Sequence, residues 1–76
     1  MSATELPDDP VYAFVPVEDA DIGVHRIRIV IDGMDATIGT SLIVLDKEPA
    51  MAVADRLNGP LGWTRASWTA FAAARP

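Results

Sequence analysis

Apolar and polar residues alternate on both sides of Asp32-Gly33, and the two flanks align as arms of a hairpin. Asp-Gly suits a type I′ turn, which needs positive φ at both central residues and fixes the register of the arms. In that register Ile31 is expected opposite Met34, Ile29 opposite Ala36, Ile27 opposite Ile38 and His25 opposite Thr40. These pairs make an oily face. Val30 opposite Asp35, Arg28 opposite Thr37 and Arg26 opposite Gly39 make a polar one. The arms are expected near Val24–Asp32 and Met34–Leu45, with a bulge or bend where Gly39-Thr40-Ser41 interrupts the second.

An earlier strand is predicted over Val11–Val17, with Val11, Ala13, Val15 and Val17 on one side and Tyr12 and Phe14 on the other. Pro16 cannot donate to a ladder, which places this strand at an edge or ends it there. Glu18 to Gly23 is a charged connection. Leu42-Ile43-Val44-Leu45 is apolar on both faces, so either the strand is internal or a second copy of the chain covers one side.

A helix is predicted from Lys47 to Asn58, with Asp46 as N-cap and Pro49 in the first turn, where its missing N–H costs little. Ala50, Met51, Val53, Ala54 and Leu57 form its apolar side; Lys47, Asp55, Arg56 and Asn58 are expected in water. Asn58-Gly59-Pro60 should end it with a left-handed Gly59. A second helix starts after Thr64 and reaches about Ala74, with Trp63 and Trp68 placed to form a hydrophobic staple. Trp68, Phe71 and Ala72 are expected to close over the domain with Leu61. The fold class is therefore α+β: a three-stranded antiparallel meander followed by one or two C-terminal helices packed on one sheet face. Residues 1–10 read as a flexible tail and 11–76 as a single small domain.

The 76 residues allow one domain with a thin core. With no cysteine, disulfides, thiol catalysis and thiolate-bound metal are excluded. A net charge of −5 opposes direct nucleic-acid binding and attraction to anionic membranes. No apolar run reaches the ~20 residues of a spanning helix, and the start lacks the basic and apolar regions of a signal peptide, so a cytoplasmic setting is expected. Ala, Arg, Gly and Pro are frequent while Lys47 is the only lysine, as GC-rich bacterial codon usage would produce.

Little in the chain points to catalysis. His25, the single histidine, has no serine, cysteine or orienting carboxylate placed beside it by any motif, so it reads as structural. Arg26 and Arg28 could grip an anion, but strand charges facing Asp35 or water and discouraging edge aggregation are the favoured reading. Glu18-Asp19-Ala20-Asp21-Ile22-Gly23 echoes a calcium loop without its third ligand or distal Glu, and reads as a solvated loop. No catalytic, cofactor-binding or metal residue is assigned, and no cofactor is expected.

The aromatics read first as core or staple, and those of them that stay partly exposed, with the apolar run Leu42–Leu45, are candidates for contact. These are Tyr12, Phe14, Leu42, Ile43, Val44, Leu45 and Trp68. The first functional expectation is a small non-catalytic interaction or regulatory module that can self-associate as a homodimer, with its protein partner unidentified. Two alternatives stand beside it. One is an acidic decoy that occupies a basic surface on a nucleic-acid-handling protein; the other is a minor enzyme subunit with a shared site.

Overall fold

A computed structural model describes residues 11–33 and 37–74. Three antiparallel strands, β1 (Tyr12–Asp19), β2 (Val24–Ile31) and β3 (Ile38–Val44), lie side by side in chain order. Two helices, α1 (Lys47–Asn58) and α2 (Arg65–Ala73), follow and pack on the sheet, so the fold is α+β. The tail expected at residues 1–10 lies outside the described residues.

β1 pairs with β2 without interruption, from Tyr12 opposite Ile31 to Asp19 opposite Val24. It is an edge strand, as Pro16 requires. β1 extends past the expected end at Val17, because Glu18 and Asp19 still find partners in His25 and Val24. The reversal is made at Gly23, whose φ of +71° suits glycine. There Asp19 accepts from the Gly23 amide through its main-chain oxygen (2.8 Å) and from the Asp21 amide through its carboxylate (3.2 Å).

The β2–β3 hairpin forms in a different register from the expected one. Ile29, not Ile27, faces Ile38, and Arg28, not Arg26, faces Gly39. Gly33 has φ +85°, but Asp32 does not have positive φ, so the type I′ turn that would enforce the tighter register is not made. The expected pairs Ile31–Met34 and Val30–Asp35 involve residues outside the described set. A slip of two residues keeps every side chain on its expected face, because the pleat repeats every two residues.

A second slip follows at the predicted interruption. Between the pairs Arg28–Gly39 and Arg26–Ile43, Ile27 alone stands against Thr40, Ser41 and Leu42. His25 consequently faces Val44 rather than Thr40. The Thr40 hydroxyl fills this bulge: it donates to the Ile27 carbonyl (2.7 Å) and accepts from the Leu42 amide (3.2 Å). It thus supplies backbone groups that the disrupted ladder leaves without partners.

α1 has the predicted limits, although Asp46 makes no side-chain cap bond. Ala50 and Ala54 are buried, with Met51, Val53 and Leu57 half-buried beside them. Gly59 stays in the right-handed region and the helix tightens into a 3-10 turn, Gly59–Leu61. The left-handed glycine is Gly62, at φ +92°. α2 begins at Thr64, which forms a reciprocal capping box with Ser67.

The core joins Ala13 to Ala54 and Trp68, with Val15, Met51, Trp63 and Phe71 packed around them. Trp63 meets Phe71 ring to ring at 4.9 Å. Leu61, expected in this group, is exposed instead. Ile27 is fully buried, while Ile29 and Ile31 are half-buried, all in extended backbone. Ala13 and Ile27 project to opposite sides of the pleat, so the interior draws on both faces of the β1–β2 pair. Among the described residues no helix is long and apolar enough to cross a membrane.

Candidate functional site

The two edges of the sheet are treated very differently. At β1, the buried Asn58 side chain accepts from the Phe14 amide (2.7 Å) and donates to the Phe14 carbonyl (2.8 Å). The Trp63 indole N–H donates to the Tyr12 carbonyl (2.8 Å). Side chains therefore occupy the outward main-chain groups that a further strand would need. Pro16, two residues beyond Phe14, offers only its carbonyl on this side, since it has no N–H to donate. Asn58 was expected in water; a carboxamide beside an edge strand can instead mimic one peptide unit, and that pairing buries it.

β3 forms the other edge, and among the described residues no strand pairs with its outer side. Its residues, Ile-Gly-Thr-Ser-Leu-Ile-Val, include no charge and no proline. Edge strands commonly carry such residues to prevent pairing. Ile38, Leu42 and Ile43 are exposed here, and Leu45 just beyond is 71% exposed. An internal strand covered on both faces is therefore ruled out for Leu42–Leu45.

Of the residues expected to make contacts, Leu42, Ile43 and Leu45 are brought together at this edge, with Val44 half-buried among them. Tyr12 and Phe14 lie at the opposite edge, half-buried, with their rings 6.0 Å apart in an edge-to-face pair. Trp68 has no surface to offer. It is 2% exposed in the core, and its indole N–H donates to Asp55 (2.8 Å). A staple residue at the fourth position of a helix faces the preceding chain, and here that direction is inward.

The same Asp55 carboxylate takes a two-pronged ion pair from Arg65, joining α1 to α2. The Arg65 bond, and after it the Trp68 bond, hold the Asp55 carboxyl below the usual carboxylate range. The pair is solvent-exposed, so it fixes how the helices meet more than it adds stability. Sequence spacing gave no sign of this contact.

The remaining polar candidates are occupied or poorly placed. Arg26 contacts Asp19 at 3.4 Å. Arg28 reaches across Gly39 to donate to the Thr37 hydroxyl and, at 3.2 Å, to its carbonyl. A Cβ at residue 39 would lie 3.3 Å from the guanidinium, a tight contact that the arginine would have to relieve by shifting a few tenths of an ångström. An open basin of about 430 Å³ beside Arg26 and Arg28 is also lined by Glu18, Asp19 and Asp21, whose charges oppose an anion. His25 has a buried Nδ1 with no hydrogen-bond partner, so no carboxylate orients the ring through that nitrogen. Among the described residues no three His, Asp or Glu side chains converge as a metal site.

Compared with models of protein families, with curated proteins and with solved structures, the chain matches none of them.

Proposed function

We propose that this protein is a non-catalytic interaction module that works in the cytoplasm by offering its β3 edge to a protein partner. One observation carries the reading: of two sheet edges, one is closed by Asn58 and Trp63, while the other is uncharged and flanked by exposed Leu42, Ile43 and Leu45. An exposed edge with apolar neighbours can take an added strand, the main chain supplying affinity and the side chains selectivity. The net charge of −5 argues against a nucleic acid as the direct partner.

Comparative capture tests this. Wild-type protein and the Leu42→Lys/Ile43→Lys variant, both shown by circular dichroism to be folded, are used as bait in lysate. A protein retained by the wild type and lost with the variant supports the reading. Equal retention by both overturns it, as does retention by neither together with a one-chain mass in solution.

A further inference from the structure

We propose that a second copy of this chain occupies the β3 edge, giving a two-fold dimer with one continuous six-stranded sheet; this deepens the docking-edge reading and rests on it. The main-chain directions supply the first argument. Phe14 turns its N–H and C=O outward to Asn58, so its partner Ile29 turns the corresponding groups toward β3. Ile29 faces Ile38, and alternation then points the N–H and C=O of the next residue, Gly39, away from the sheet. Ile27 and His25 follow the same parity as Ile29. Val44, opposite His25, therefore turns inward and Ile43 turns outward.

Gly39 and Ile43 are equally distant from Ser41. An antiparallel copy placed about a two-fold axis at Ser41 sets Gly39 opposite the second copy's Ile43, and Ile43 opposite the second copy's Gly39. Both are outward-facing pairs, the kind that exchange two hydrogen bonds. The strand is thus self-complementary in main-chain direction. The bulge at Thr40–Leu42 lies at the axis, so the bonded pairs flank it.

Charge permits the contact. A chain of net −5 meets a copy of itself with least local like-charge repulsion through an uncharged segment, and Ile38–Leu45 is one. Topology then closes the assembly. Because Asn58 and Trp63 occupy outward main-chain groups of Phe14 and Tyr12, joining β3 of one copy to β1 of another would displace them, which favours closure at two. Composition of the core favours a partner present at the chain's own concentration. Among the described residues Val24, Ile27, Val30 and Trp68 are the large apolar side chains buried, against eight that are exposed.

The test uses the purified chain alone. Sedimentation equilibrium should give the mass of two chains at about 100 µM, and Ile43→Lys should weaken association about tenfold or more. Because the chain has no cysteine, Ser41→Cys provides a separate readout. It should form a disulfide-linked dimer under mild oxidation, while Ala20→Cys in the β1–β2 turn should not. This decides the matter even if the lysine variant fails to fold. A one-chain mass across the range, assemblies larger than two, or a dimer that Ser41→Cys does not cross-link would each overturn the proposal. A monomer whose capture of another protein still depends on Leu42 and Ile43 would overturn the dimer and leave the docking edge standing.

Discussion

Asn58 is the residue on which the fold's asymmetry turns. Its buried carboxamide satisfies both the N–H and the C=O of Phe14, and truncation would leave both without partners at a half-buried position. Asn58→Ala should cost roughly 2–4 kcal/mol in urea unfolding, far more than Arg56→Ala on the exposed side of the same helix. Asp55 gives a pH signature. Its carboxyl is held low by Arg65 and then by Trp68, so folding favours the ionised form. That contribution is fully present above the unfolded carboxylate's ordinary value and fades as pH falls through the lower folded one. The difference in urea midpoint between the wild type and Asp55→Asn should therefore hold at about pH 6 and narrow as pH drops below about 4.

At the scale of elements, the bulge in β3 is the device most open to test. Thr40 bridges the Ile27 carbonyl and the Leu42 amide across a gap that the ladder cannot span. Thr40→Val keeps the shape and the β-branch but removes the hydroxyl. It should cost about 1–2 kcal/mol. Hydrogen exchange should locate the change, with faster exchange at the Leu42 amide and little change at the Phe14 amide behind Asn58. If Leu42 keeps its protection, the hydroxyl is not what holds the bulge.

For the whole molecule, the quantity that matters is a net charge of −5 carried by each copy. Two such bodies repel at long range, and salt shortens that reach from about 30 Å at 0.01 M to about 8 Å at 0.15 M. Self-association through an uncharged edge should therefore tighten over this range, as read by sedimentation equilibrium. A basic partner held by the acidic surface would give the opposite slope in a capture assay. The sign of the salt dependence thus separates the dimer from a decoy that mimics an acidic ligand.

The meander, both helices and the site of the bulge were legible along the chain because each rests on local chemistry. Alternation marked the strands, Pro16 the edge, Gly39-Thr40-Ser41 the interruption and Thr64 the start of α2. The hairpin register was not legible, since Asp32 keeps its ordinary φ and no local rule fixes how many residues the turn absorbs. Asn58 was misread for a related reason. A carboxamide at a helix end looks solvated until a strand edge distant in sequence supplies the two groups it can pair with. The candidate site divided in the same way: the apolar run Leu42–Leu45 could be seen in one dimension, whereas burial of Trp68 and closure of the β1 edge could not. Periodicity and turn chemistry determine which elements form. Which edge is sealed and which stays open depends on contacts between residues more than forty positions apart, and only the folded chain brings those together.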